Sequence, residues 1–173
     1  MSKHQAITMS SDLILRFAQP DDCSVLFDLI KALAEYEKLS DTVTGNVLAL
    51  REHLFGSTKY IEAIVAENTN KVVGFALFFH NYSTYLTQPG IYVEDIFVLP
   101  EYRQMGIGKA LLTKIAQIAV ERNCGLLEWS VLDWNEPAQA FYRRMGASIL
   151  DDWRICRVVG ENLTALAGSN DKV

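Results

Sequence analysis

The sequence predicts a mixed α/β fold, and three observations carry that reading. Short apolar runs of strand length recur along the chain. Helical patterns with apolar residues at i, i+3, i+4 and i+7 interrupt them. The resulting order is β-α-α-β-β-β-α-β-α-β-β, with no internal repeat and no Pro/Ser-rich linker. At 173 residues the chain fits one domain with a core of its own, expected over residues 12–167 with short flexible tails at 1–11 and 168–173.

The first strand is read at Asp12–Ala18, through L-I-L-R-F, and is broken by Pro20. Asp21 and Asp22 supply a carboxylate able to cap the helix that follows. In that helix Leu26, Leu29, Ile30 and Leu33 share one face. A weaker helix spans Val47–Phe55, with Val47, Leu50 and Leu54 on one side. Tyr60–Glu67 and Lys71–Phe79 flank Asn68-Thr69-Asn70 and read as a hairpin. The near-continuous apolar run V-V-G-F-A-L-F-F suits a central strand covered on both faces. Asn81–Gly90 reads as a Tyr/Ser/Thr-rich loop and Ile91–Leu99 as a strand. A long helix is expected from Gly106 to Arg122, burying Ile107, Leu111, Ile115 and Ile118. Leu126–Leu132 follows as a strand, then a Pro137–Met145 helix capped by Asn135 and stopped by Gly146. Ser148–Leu150 and Trp153–Val159 read as the last strands.

Composition narrows the function. Half the residues are apolar, and 16 Lys+Arg against 21 Asp+Glu leave a formal charge of −5, which argues against a nucleic-acid binder that must neutralise phosphates. Cys23, Cys124 and Cys156 are an odd, widely spaced set, read as reduced buried thiols of a cytoplasmic protein. His4, His53 and His80 show no ligand spacing, so no metal site is expected. No signal-like stretch precedes the first strand and no run approaches the ~18 apolar residues of a membrane span, so no membrane partner is expected.

The chemistry concentrates in Val93–Lys109, V-E-D-I-F-V-L-P-E-Y-R-Q-M-G-I-G-K. A strand runs into a short turn, and R-x-x-G-x-G then opens an amphipathic helix. Glycines there let the backbone approach a ligand, while free N–H groups and the positive end of the helix dipole favour phosphate. Arg103 and Lys109 add positive charge. A Walker A loop fails because no glycine stands at the required spacing before Gly108-Lys109 and Ala110 replaces the hydroxyl. A dinucleotide fingerprint fails because Leu111 occupies the third glycine position.

Taken with L-D-W-N-E-P-A-Q-A-F-Y-R-R-M-G-A downstream, and with D-D-C-S and L-I-K-A-L-A-E-Y-E near the start, the chain resembles the GCN5-related N-acetyltransferase (GNAT) superfamily. Within it the chain is similar to the diamine (spermidine/spermine) and thialysine acetyltransferase subfamily. The resemblance implies a GNAT fold, with a mixed, mostly antiparallel sheet of six to seven strands flanked by about four helices. It implies acetyl-CoA as donor, with backbone groups of Ile96, Phe97 and Val98 along the pantetheine arm. Arg103, Gln104, Met105, Gly106, Ile107, Gly108 and Lys109 would lie at the pyrophosphate, and Asn135, Glu136, Pro137 and Ala138 beside the cofactor. It also implies a homodimer.

An alkyl amine with a pKa near 10.4 must lose a proton before it attacks an acyl group, and Glu94 is the candidate base, acting directly or through water. Tyr142 matches the family's tyrosine general acid, which protonates the leaving thiolate, although Ala138, Phe141, Tyr142 and Met145 also have the spacing of a packed helix face. A backbone N–H in the Phe97–Val98 stretch would stabilise the oxyanion. The subfamily places acceptor contacts at Tyr36, Glu37, Glu94, Asp95, Glu128, Trp129, Ser130 and one of Asp151 or Asp152, a set suited to a cationic small-molecule amine. The loop His80–Pro89 departs from the polyamine enzymes in lacking an aspartate-proline-tryptophan character. A short diamine, thialysine or another small primary amine therefore stays open, beside acetylation of peptide amino groups and a non-catalytic acyl-CoA-binding domain.

Overall fold

The computed structural model describes residues 13–168. The expected tails at 1–11 and 169–173 lie outside the described residues, whereas Gly168 ends a helix. The described chain groups into two compact units, one ending at Ser130 and one beginning at Val131.

The first unit is a five-stranded sheet in the order β1-β2-β3-β4-β5, with strands β1 (Leu13–Phe17), β2 (Glu62–Asn68), β3 (Lys71–Ser83), β4 (Gln88–Val98) and β5 (Leu126–Trp129). The first three pairings are antiparallel and β4 pairs with β5 in parallel. A parallel pair needs a crossover, and α3 (Ile107–Glu121) supplies it. Helices α1 (Cys23–Tyr36) and α2 (Val47–Phe55) fill the connection between β1 and β2.

Alternation along β2, β3 and β4 sends side chains to two cores. Ile64, Ala76, Phe78, Ile91 and Val93 pack with Ile107, Leu111, Ile115 and Ile118 of α3. Ala63, Val65, Phe75, Leu77 and Phe97 pack with Leu26, Leu29 and Leu33 of α1 and Leu54 of α2. The expected helix stripes are buried, apart from Ile30, Val47 and Leu50, which are half-buried at the edge of the second core.

The hairpin between β2 and β3 closes through Thr69 and Asn70, both at positive φ (49° and 61°), the backbone of a two-residue turn whose twist matches the strands. The stretch read as a loop over Asn81–Gly90 is mostly ladder instead: Asn81 pairs with Gly90, Tyr82 with Pro89 and Ser83 with Gln88. Tyr82 is a strand former, while Thr84, Tyr85 and Thr87 lie in the turn, and pairing across β3 and β4 outweighs the polar, turn-like composition of the flanks. Glycine suits position 90, because a Cβ there would press on the side chains of Asn81 and Leu126 and force them to shift.

Asp22 does not cap α1 with its side chain. It accepts from Arg16 at 2.7 and 3.0 Å and from the Gln19 backbone N–H at 2.6 Å, so it closes the preceding turn and ties it to β1. Arg16 also reaches Glu67 on β2 at 2.9 Å.

The second unit holds α4 (Glu136–Arg144) and α5 (Glu161–Gly168). Asn135 caps α4, its Oδ1 accepting from the Ala138 N–H at 3.3 Å, and Gly146 at φ 92° lies just past its end. The sheet has five strands rather than six to seven, and the described residues hold five α-helices rather than about four. Neither Ser148–Leu150 nor Trp153–Val159 forms a strand, and β5 ends at Trp129 rather than Leu132. Alternation in W-R-I-C-R-V-V gives a strand-like sequence, but a strand exists only where an edge accepts its hydrogen bonds. Helix α5 was not anticipated, since its apolar spacing extends over eight residues only. Of the cysteines, Cys23 is buried, Cys124 half-buried and Cys156 exposed, which corrects the expectation that all three are buried; all are free thiols.

Candidate functional site

β4 is irregular where its sequence turns acidic. Val93 pairs with Phe78 and Asp95 with Leu77, so Glu94 is an extra residue with no counterpart on β3, a β-bulge. Asp95, paired with Leu77, shares the sheet face on which Leu77 meets α1. Glu94 is exposed at the bulge.

The C-terminal end of α1 brings a third carboxylate to that face. Lys38, at φ 61°, ends the helix, and the Leu39 N–H closes back on the Ala34 carbonyl at 2.8 Å, which fixes Tyr36 and Glu37 in the final turn. Burial, then the charges of Glu94 and Glu37, push the Asp95 carboxyl up to about 7. Burial alone raises Glu37. Of the expected acceptor residues, Glu37 and Glu94 therefore stand near enough for their charges to act on the Asp95 carboxyl.

The β4–β5 ladder ends where Val93 faces Trp129, whereas β4 continues to Val98 paired with β3 only. Ile96 and Val98 send their side chains into the α3 core and Phe97 into the α1 core. What this segment offers at its unpaired edge is backbone, which suits an extended amide chain. Beyond it, Gln104 (φ 63°) and Gly106 (φ 84°) take left-handed backbone and α3 starts without a side-chain cap. A Cβ on Gly106 would meet nothing within 4 Å, so glycine is needed there for its φ and not for space. The first-turn N–H groups of Ile107, Gly108 and Lys109 have no partner within the helix, an arrangement fit for a phosphate. Met105 and Lys109 are exposed beside them.

Other expected residues have different neighbours. Arg103 turns to the protein, its Nε donating to the Val98 carbonyl at 3.0 Å and its guanidinium lying 4.5 Å from the Tyr36 ring centroid. Glu128 accepts from Asn81 Nδ2 at 2.7 Å, Trp129 packs against the α3 core, and Ser130 hydrogen-bonds the Tyr92 hydroxyl at 2.6 Å. Tyr92, whose ring is 5.4 Å from Phe79, escaped the sequence reading; its place two residues before Glu94 on the same strand was the available signal.

In the second unit Tyr142 is buried on α4 beside Phe141, their ring centroids 5.3 Å apart. Gln139, one turn before it, was also missed. It is buried and donates to the carbonyls of Leu132 (3.3 Å) and Asp133 (2.8 Å), holding the loop that leads to Asn135. Glu136 and Pro137 are exposed in the first turn of α4, and Asp151 and Asp152 are exposed in a turn. Glu94 thus belongs to the first unit and Tyr142 to the second. Two concavities of about 510 and 550 Å³, one beside α1 and one between α2 and β3, do not include Glu37, Glu94 or Asp95.

Residues 29–147 match the model of the acetyltransferase (GNAT) family. Among characterised relatives, a thialysine N-epsilon-acetyltransferase of Bos taurus is 40% identical over 167 residues, covering 90% of this chain and 98% of that protein. An L-ornithine N5-acetyltransferase of Arabidopsis thaliana is 46% identical over 107 residues, 61% of this chain and 47% of that protein. Among solved structures, an integron cassette protein from the mobile metagenome of V. cholerae superposes with a TM-score of 0.76 at 26% identity, covering 92% of this chain and all of that one. The bulged acidic strand, the uncapped helix start behind it and these likenesses converge: the chain belongs to the GNAT family, in the diamine and thialysine acetyltransferase subfamily, and is an acetyltransferase.

Proposed function

We propose that this enzyme transfers an acetyl group from acetyl-CoA to a primary amine of a small cationic substrate such as thialysine, a short diamine or a polyamine. The observation that carries the reading is Asp95, raised to about 7 by its burial and then by the charges of neighbouring Glu94 and Glu37. Carboxylates at such close quarters repel one another, and an ammonium group placed among them relieves that repulsion while replacing its own lost water. The name of the bovine relative agrees with such a substrate.

Acetyl-CoA supplies an activated acyl thioester. The residues that would hold it are the β4 edge at Ile96, Phe97 and Val98, the turn Gln104–Lys109, and the start of α4 at Asn135, Glu136, Pro137 and Ala138. In this reading Glu94 takes the proton of the substrate ammonium; the bulge exposes its carboxylate, and removing that proton makes the nitrogen a nucleophile. The hydroxyl of Tyr142 gives its proton to the departing sulfur, and the phenolate so formed is reprotonated by the proton that the nitrogen loses as it becomes an amide. A backbone N–H of the Phe97–Val98 stretch stabilises the acyl oxygen as it gains charge. Glu37 and Asp95 hold the far ammonium, with Tyr36, Trp129, Ser130, Glu128 and Asp152 shaping the acceptor side.

The family match runs through the junction at Ser130–Val131, which supports one acetyltransferase domain over 12–167. Exposed Trp153, Ile155, Val158 and Val159 support a homodimer, which light scattering of the purified protein would detect. The test of the function is incubation with acetyl-CoA and a panel containing thialysine, ornithine, short diamines, spermidine and peptides, with mass spectrometry of the products. N-acetylation of the small amines supports the proposal, and binding of acetyl-CoA without transfer to any of them contradicts it.

A further inference from the structure

Arg103 sits in the turn that precedes α3, where a cation would be expected to serve a phosphate. Its side chain is engaged elsewhere. The Nε–H is spent on the Val98 carbonyl, the last residue of β4, and the guanidinium carbon lies over two rings, 4.5 Å from the centroid of Tyr36 and 5.4 Å from that of Phe97. Tyr36 is the last residue of α1 and Glu37 its cap, so one side chain links the end of β4, the turn before α3 and the last turn of α1. We propose that Arg103 is a positioning residue for the amine side of the site, clamping the C-terminal turn of α1 so that Tyr36 and Glu37 stand over the bulge of β4. The assignment of that side to the amine rests on the proposed function; the clamp itself does not.

Three features favour a clamp. Besides its backbone hydrogen bonds, the end of α1 turns through a left-handed Lys38, a backbone that is strained for a non-glycine residue, so the turn benefits from an external tie. A guanidinium next to a helix C-terminus faces the negative end of its dipole. Arginine combines a permanent charge and a flat face for stacking with an N–H directed along its edge, which a lysine ammonium lacks. Phosphate binding is then left to the α3 amides and Lys109, and the removal of Arg103 acts on the amine before the cofactor.

The test uses the full chain with Arg103→Ala, Arg103→Lys, Tyr36→Leu and Tyr36→Phe. In ligand-free protein, amide hydrogen exchange over residues 33–39 is expected to rise about tenfold in Arg103→Ala and in Tyr36→Leu, to rise similarly in Arg103→Lys, and to stay near wild type in Tyr36→Phe, which keeps the ring. In turnover assays with thialysine, Arg103→Ala is expected to raise the amine KM about tenfold, with the acetyl-CoA dissociation constant changed less than about twofold. Unchanged exchange over 33–39 overturns the clamp, as does a tenfold loss of acetyl-CoA affinity with the amine KM intact. If no amine is acetylated at all, the proposed function fails, while the exchange measurement still decides the clamp. If Arg103→Ala does not fold, Arg103→Lys and the Tyr36 pair decide it.

Discussion

Val93 faces Trp129 in the last rung of the parallel ladder between β4 and β5, and one residue later Glu94 bulges out of the ladder between β4 and β3. The strand thus loses one neighbour and falls out of step with the other at the same place. An open stretch of backbone and an exposed carboxylate follow from that coincidence, and the chemistry proposed for the protein depends on both.

Replacing Glu94 by Gln keeps the bulge and removes the proton acceptor. The expected outcome is a fall in kcat of about 10²- to 10³-fold with acetyl-CoA affinity within about twofold of wild type, read from steady-state kinetics and calorimetric titration. A loss confined to amine KM would make Glu94 an anchor and not a base.

Asp95 yields a prediction in pH. Its carboxyl is held up to about 7, well above the 3.8 of a free side chain, by burial and by the charges of Glu94 and Glu37. The folded state keeps this proton where the unfolded chain has released it, so Asp95 contributes stability that is present below about pH 4 and lost as pH rises through about 7. Asp95→Asn is therefore expected to stabilise the protein at pH 8, by about 1–3 kcal/mol, and to lose that advantage toward pH 4, as followed by chemical denaturation. The same substitution should raise the amine KM at pH 8 more than at pH 6. Comparison with wild type at each pH cancels the titration of the amine itself.

The ion pair of Arg16 with Asp22 behaves in the opposite sense. Bonded to the Arg16 guanidinium and the Gln19 N–H, the Asp22 carboxyl lies below its usual range, so its contribution is present above about pH 4 and is lost as pH falls through the lowered value. Arg16→Ala leaves a nearly buried carboxylate with one partner fewer and should cost about 2–3 kcal/mol at pH 7, less at pH 3. Equal losses at the two pH values would contradict this account.

Gly106→Ala tests the phosphate turn. With φ at 84°, a Cβ strains the backbone that aims the first amides of α3, although no atom lies close enough to clash. Acetyl-CoA affinity is expected to fall about tenfold, with thermal stability reduced by only a few degrees.

Much of this was legible in the sequence where local pattern and tertiary demand agree. The α1 and α3 stripes, the V-V-G-F-A-L-F-F strand and the glycine-bearing helix start are of that kind, because each residue's neighbours along the chain determine which face it buries. The bulge at Glu94 was not legible: V-E-D-I-F-V reads as a regular strand, and the slip appears only when β3 is laid against it. The neighbours of Arg103 were not legible for a similar reason. Its place in R-x-x-G-x-G suggests an anion ligand, while Tyr36, 67 positions earlier in the chain, comes to lie under its guanidinium. Trp153–Val159 shows the converse, a strand-like alternation without a strand, since alternation specifies faces and not a partner.

The central claim is that the acidic end of β4 serves a small polycation. It is tested most directly by kcat/KM for acetylation of thialysine and short diamines against that for lysine-bearing peptides and N-terminal amines, measured by CoA thiol release with the same enzyme. A preference for the small amines of at least about a hundredfold, reduced at least tenfold in Asp95→Asn, is what the account predicts. A preference for peptides, or a small-amine rate indifferent to Asp95, would contradict it.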